Sequence, residues 1–278
     1  LMDSRFKALT KTTAAQLANV NKTALAYVNG QLPEVYSINY NALSKSVDGV
    51  GGYTFALVDA DTVKNLATTD KSLLPYKQLD EKADIRWNVK KMNAEVLQGI
   101  LQGEPMDKIA SRLSKVTDMN ATSAIRNART MVTGAENKGR QDSYERATAD
   151  GIIVQKEWIA TNDSRTRHSH AVLDGATVDQ DKKFDNGLMY PGDPIGRPEE
   201  VWNCRCTVAA VVKGFKKAQV QKAMAEKQVE QTHTKAFSNA KTTHEAEEYA
   251  RKNIFSGAYL GKTSYKGIDV DMANGINE

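Results

Sequence analysis

Two segments decide the fold: Trp158-Ile159-Ala160-Thr161-Asn162-Asp163-Ser164-Arg165-Thr166-Arg167-His168-Ser169-His170 and Trp202-Asn203-Cys204-Arg205-Cys206-Thr207. The first is entered by Ile152, Val154, Trp158 and Ile159, an apolar run that predicts a strand. The second opens into Cys206 to Val212, nearly all β-branched or small, which predicts another strand ended by Gly214. Between them lies a long polar loop carrying Leu173-Asp174-Gly175, Phe184 and Tyr190-Pro191-Gly192-Asp193-Pro194. A loop with so few apolar residues needs cross-links to hold a shape inside a compact domain.

The residue types suggest what those links are. If His168-Ser169-His170 is extended, its two imidazoles share one face, because strand side chains repeat every second residue. The same holds for Cys204 and Cys206. Two nitrogens and two sulfurs meeting across the loop would make a closed tetrahedral site of the structural-zinc type. Such a site has no position for an activated water, which argues against metal catalysis. If one histidine stays out, Asp163 is the alternative fourth ligand, since zinc accepts oxygen. In the metal-free alternative the cysteines are simply buried, and the histidines bond to Asp163 or Asp174. A disulfide between Cys204 and Cys206 would close almost no loop. Arg165 or Arg167 forked onto a carboxylate would also fix the segment. Ser164, Ser169 and the cysteines lie near histidines, so a Ser/His or Cys/His hydrolase is a weaker alternative that needs a pocket of its own.

Working outward, helices dominate. Phe6, Leu9, Ala14, Leu17, Val20, Ala24, Leu25 and Val28 predict a helix stopped by Asn29-Gly30. Glu34 to Tyr40 and Tyr53 to Val58 read as short strands. A helix is expected from Glu81 to Gln102, then a shorter one from Pro105 to about Lys115, packing Ile109 and Leu113 inward as a helical hairpin. A helix-turn-helix is the lesser reading, as no basic recognition helix follows. The longest helix is expected from Asn120 to Ala149, and a charged one from Phe215 to about Glu230. Thr242-Thr243-His244-Glu245 forms a capping box for a helix ending near Asn253. Residues 262–278 are polar and read as a linker. The fold class predicted is α+β: a helical N-terminal half, a compact motif domain with a small β-sheet, then C-terminal helices.

Composition excludes some classes. The 278 residues carry a net charge of +4 and 40% hydrophobic residues, with a mean hydropathy of −0.53. No run approaches the ~18 apolar residues of a spanning helix, so no membrane partner is expected. Leu1 to Phe6 contains no apolar signal region. Lysines and arginines are mixed with acids along most of the chain, which does not mark a dedicated nucleic-acid binder.

In the motif itself the chain resembles the phage head morphogenesis domain of the Mu F-like and SPP1 gp7-like minor head (minor capsid) proteins. The family pattern is a tryptophan, an Asp-x-Arg-Thr-Arg-x-x-His run, an Asp-Gly, a Pro-Gly-Asp and an Asn-Cys-Arg-Cys. It falls on Trp158, Asp163, Arg165, Thr166, Arg167, His170, Asp174, Gly175, Pro191, Gly192, Asp193, Asn203, Cys204, Arg205 and Cys206. Upstream, Ala128-Arg129-Thr130 and Asn137 resemble the family's helix, with Met131 where an acid is usual. His168 is not a position of the pattern, which favours ligands His170, Cys204, Cys206 and Asp163 over a set containing both histidines.

The resemblance covers about Arg86 to Val212 and implies three regions: a lineage-specific 1–80, the head morphogenesis domain 81–214, and an extension 215–278. It implies a structural virion protein, not an enzyme, lying inside the capsid and in the host cytoplasm during assembly. The implied partners are the portal protein, the major capsid or scaffolding protein, and packaged DNA. The implied roles are procapsid assembly and DNA delivery; structural zinc rests on the residue spacing alone. Thr242, Glu245 and Ala246 resemble a junction that in relatives precedes a fused toxin or enzyme domain. The alternatives are thus a metal-dependent hydrolase or nuclease, or the carrier of a C-terminal effector.

Overall fold

The structure is a computed structural model that describes residues 4–226, residue 228, and residues 262–265 and 268–271. Its helices are α1 (Ser4–Asn41), α2 (Ser44–Val47), α3 (Ala60–Thr69), α4 (Glu81–Leu101), α5 (Met106–Ala149), α6 (His168–Ala171) and α7 (Pro198–Val201). Strands β1 (Ile152–Ile159), β2 (Thr177–Asp179) and β3 (Thr207–Phe215) form an antiparallel sheet in the order β2-β1-β3. The α+β class is as expected. Residues 217–226 are helical, within the predicted charged helix. The capping box at Thr242 to Glu245 lies outside the described residues.

Helix α1 corrects the first boundary. It runs through Asn29-Gly30 and Pro33 to Asn41, so Glu34 to Tyr40 is helix, not strand. The reason is a stripe at four-residue spacing, Val28, Leu32, Tyr36 and Tyr40, which packs beside Met131 and Ala135 of α5. Burial of that stripe outweighs the hydrogen bond that Pro33 removes from the helix. Gly139 makes the approach possible, since a Cβ there would stand 2.5 Å from the Tyr36 carbonyl oxygen. Asn29 uses its side chain to bond both the N–H and the C=O of Lys77, clasping the loop after α3.

Tyr53 to Val58 is not a strand either, although it alternates like one. Tyr53 and Phe55 are buried and Thr54 and Ala56 are exposed. Its backbone is held by side chains instead of a neighbouring strand: Asn41 bonds both sides of Val58, and Asp48 accepts from the Phe55 N–H at 2.6 Å.

Helix α4 follows the expected limits, with Asp80 as its cap accepting from the Ala83 N–H. Pro105 opens the next helix as predicted, but no break follows near Asn120. Helix α5 is continuous for 44 residues, about 66 Å at 1.5 Å per residue. It serves three apolar clusters in turn: Val116 with Met92 and Ala14, Met131 and Ala135 with α1, and Tyr144 and Ala147 with the sheet. The hairpin of α4 and α5 buries Ile109, as expected. Asn120, where a separate helix was expected to begin, is buried within α5 and donates to the Asn88 side chain at 2.7 Å and to the Val116 carbonyl at 2.9 Å. Near the C-terminus, residues expected to be a linker form a paired strand, β4 (Lys262–Tyr265) with β5 (Ile268–Asp271).

Candidate metal centre

Strand β1 alternates as its sequence predicts, and Ile152, Val154, Lys156 and Trp158 face inward. Trp158 is fully buried, stacked edge-on against both Phe184 and His170 at centroid distances of 5.0 and 5.1 Å. Beyond the strand, Asp174 accepts from the Ala160 N–H at 2.8 Å and from the Asn162 side chain at 2.7 Å. Gly175, at φ +79°, donates its N–H to the Trp158 carbonyl. Asp163 then shapes the turn by accepting from the Arg165 N–H and the Thr166 hydroxyl.

His168-Ser169-His170 is not extended. It is one helical turn, α6, so the two imidazoles point in different directions. His168 is exposed and His170 is buried. The Nδ1 of His170 lies 3.5 Å from the Sγ of Cys204 and 3.5 Å from that of Cys206. A tetrahedral zinc with Zn–N near 2.05 Å and Zn–S near 2.3 Å requires about 3.5 Å between nitrogen and sulfur. Both cysteines are free and buried, and the Cys206 N–H points at the Cys204 sulfur. These three side chains can therefore hold a metal ion. Their donor set, thiolate with imidazole, suits zinc.

Asp163 and His168 do not join them. Among the described residues, the cluster of potential ligands is His170, Cys204 and Cys206 alone. Asp163 is instead forked by Arg205, at 2.5 and 2.7 Å, and those bonds hold its carboxyl well below the usual carboxylate range. The site is thus not the closed four-ligand one expected. It borders a crevice of about 10 Å³, room for roughly one water, lined by Thr161, Arg165, Thr166, Arg167, Asn203 and Arg205 besides the three ligands.

Two buried ionisable residues escaped the sequence reading. Glu200, at the end of α7, accepts from the His170 Nε2–H at 2.9 Å and from the Ser169 hydroxyl at 3.0 Å. That bond assigns the proton to Nε2 and leaves Nδ1 as the lone pair facing the thiols, the carboxylate–histidine arrangement of metal sites. The carboxylate expected behind the histidine was Asp163 or Asp174; the signal for Glu200 was a pair of acids opening a short helix at Pro198. The thiols titrate together. The hydrogen bond from Cys204 holds the Cys206 thiol low, while the same bond and burial push Cys204 up.

The second is Lys156, on the inner face of β1 and fully buried. Its Nζ donates to the Met189 carbonyl at 2.7 Å and to Gln141 Oε1 at 3.0 Å, and lies over the Phe184 ring. Burial pulls its pKa down to about 8. It ties the sheet to the Pro191-Gly192-Asp193 loop, where buried Asp193 accepts the Met189 and Ile195 N–H groups. Gly192, at φ +82°, lies so close to α5 that a Cβ would stand 2.9 Å from the Gly134 nitrogen.

Helix α5 clasps the cysteine loop with side chains at helical spacing. The Asn203 N–H donates to Thr130 Oγ1 at 2.9 Å, Thr133 donates to the Cys204 carbonyl at 3.0 Å, and Asn137 donates to that of Cys206 at 3.2 Å. Asn137 also accepts from the Val208 N–H at 3.0 Å. Asn203 sits at φ +59°, a conformation asparagine tolerates, and its side chain accepts from Arg129 at 2.5 Å. Arg167 donates to the Trp202 carbonyl. Met131 faces the α1 side, fully buried, where an acid would be costly without a partner.

The sheet is thus cross-tied to a long helix through an Asn-Cys-Arg-Cys loop, an Asp-Arg fork and a buried histidine. Residues 90–209 match the family model described as Phage Mu protein F like protein, and that part of the chain belongs to this family. The chain is similar to the minor head protein GP7 of Bacillus phage SPP1, with 28% identity over 198 residues covering 69% of this chain and 64% of that protein. It is also similar to the NAD(+)–arginine ADP-ribosyltransferase EFV of Enterococcus faecalis, with 30% identity over 203 residues covering 70% of this chain and 40% of that enzyme. The chain thus spans less than two thirds of either relative's length. No solved structure matches it.

Proposed function

We propose that the protein is a structural minor head protein of a tailed bacteriophage, held inside the capsid beside the portal and acting in procapsid assembly or DNA delivery. Residues 81–214 would be its head morphogenesis domain, 1–80 a lineage-specific part and 215–278 an extension. In this reading the His170, Cys204 and Cys206 site takes a zinc ion that braces the loop. The observation that carries it is the direction of the contacts. The donors Thr133 and Asn137, the carboxylate of Glu200 and the ring of Trp158 all turn the site inward, and the crevice beside it has room for about one water and none for a substrate. Among the described residues no helix is long and apolar enough to cross a membrane.

The test is purification of procapsids and virions from infected cells. The chain is expected to co-purify with the portal protein in a few copies per particle. Its absence from both particles would overturn the assignment.

A second reading is favoured by the likeness to an arginine ADP-ribosyltransferase: the chain would be the carrier part of a longer effector protein. Incubating the longest natural form of the protein with labelled NAD and an arginine-containing acceptor tests it. Transfer of label that is lost on truncation after Glu230 would support this reading over a purely structural one.

A further inference from the structure

A tetrahedral ion held by His170, Cys204 and Cys206 needs a fourth donor, and the described residues around the site have none to give. Both Asp163 oxygens are taken by Arg205, at 2.5 and 2.7 Å. His168 is exposed and does not line the crevice. Glu200 is bonded to Nε2, on the opposite side of the ring from the thiols. The Thr161 hydroxyl donates to the Arg205 carbonyl at 2.7 Å and the Thr166 hydroxyl to Asp163 at 3.2 Å, while the Asn203 amide oxygen accepts from Arg129. What remains is the crevice itself. All three ligand side chains line it, it has room for about one water, and exposed Arg165 stands at its rim, where solvent enters.

Charge decides which kind of donor fits there. Ligand cysteines bind as thiolates and histidine as the neutral ring, so the two charges of zinc are met by the two sulfurs. The ions around them pair off, Asp163 with Arg205 and Glu200 with Arg197 at 3.8 Å. Arg165 and Arg167 are left over. Among the described residues neither guanidinium meets a carboxylate, and Arg167 is fixed by donating to the neutral Trp202 carbonyl. A neutral acceptor sets where a guanidinium sits and leaves its charge whole. A donor entering the crevice therefore meets two unmatched positive charges, which favour a negative ligand over a neutral one.

We infer that a metal at this centre keeps its fourth position open to the crevice, and that the position takes a small monoanion from solution, guided by Arg165 and Arg167. The inference rests on the metal-binding reading of the site and names the ligand that completes it. Only an anion slender enough to enter end-on fits.

The experiment loads the full chain with cobalt(II) in place of zinc and titrates it with azide. Four-coordinate cobalt bound through thiolates has a visible ligand-field spectrum. Azide should shift that spectrum saturably while the cobalt stays with the protein through desalting. R165Q should weaken azide binding about 3- to 5-fold, the effect of one solvent-screened charge several ångströms from the anion. K7Q, on the first turns of α1, should leave azide binding unchanged. A cobalt spectrum that azide does not alter would overturn the inference and leave the zinc brace standing, because the protein itself would then fill the fourth position. Equal azide affinities in wild type and R165Q, or an equal loss in K7Q, would also overturn it. Failure of the chain to bind either cobalt or zinc would remove the metal reading first, and this inference with it.

Discussion

Replacing Lys156 with methionine isolates the cost of one buried cation. Its side chain is wholly enclosed between β1, α5 and the loop through Met189, and its pKa is pulled from the ordinary 10.5 down to about 8. Below pH 8 both the folded and the unfolded chain carry the proton, and the folded state bears the full desolvation cost. Between pH 8 and 10.5 the folded chain has lost the proton and the unfolded chain has kept it, so stability rises with pH. The gap of 2.5 units corresponds to about 3 kcal/mol, with a maximum slope near 1.4 kcal/mol per pH unit. Several tyrosines with raised pKa values, Tyr36, Tyr53 and Tyr190 among them, titrate in the alkaline range with the opposite effect. The useful quantity is therefore the difference between wild type and Lys156→Met, measured by urea unfolding from pH 7 to pH 11. The wild type is expected to gain on the variant by about 3 kcal/mol over that range. Parallel stability curves would refute the reasoning, because they would mean that Lys156 keeps its proton or finds water.

Three further outcomes are expected. Glu200→Gln should weaken zinc binding about 10- to 100-fold in a competition titration with a chromophoric chelator, while Cys204→Ser should remove most of it; an unchanged E200Q affinity would mean that the carboxylate does not orient His170. Gly192→Ala should destabilise the domain by about 2 kcal/mol or more in thermal unfolding, because it combines a left-handed backbone with a clash against α5; a neutral result would show that the loop can lift from the helix. Arg205→Ala should raise the rate of tryptic cleavage after Arg165 and Arg167 several-fold with little change in melting temperature, since the Asp163 fork is exposed and holds the turn locally.

Much of the sheet and part of the centre were legible in the sequence. Alternation from Ile152 to Trp158 and the run after Cys206 give β1 and β3 directly, because a half-buried strand has no other way to separate its faces. The pairing of Cys204, Cys206 and His170 was also readable, since few other roles suit that set. Three things were not. Local stop signals at Gly30 and Pro33 were overruled by an apolar stripe whose partner, on α5, is distant in sequence. The assumption that His168 to His170 is extended put both imidazoles on one face, whereas a single helical turn separates them. Glu200 reads as an ordinary surface acid until α7 folds back over His170, and β2, three residues long, has no pattern of its own.

The continuity of α5 carries a consequence for how such a chain can change. Losing a single residue between Val116 and Thr130 would rotate everything beyond it by about 100° and draw it back about 1.5 Å. Thr133 and Asn137 would then swing off the backbone of the cysteine loop while Val116 kept its seat against Met92. Solvent-facing side chains along this rod are open to exchange, but its length is locked. Insertions and deletions that survive are expected to fall in the connecting loops, where no distant register has to be kept.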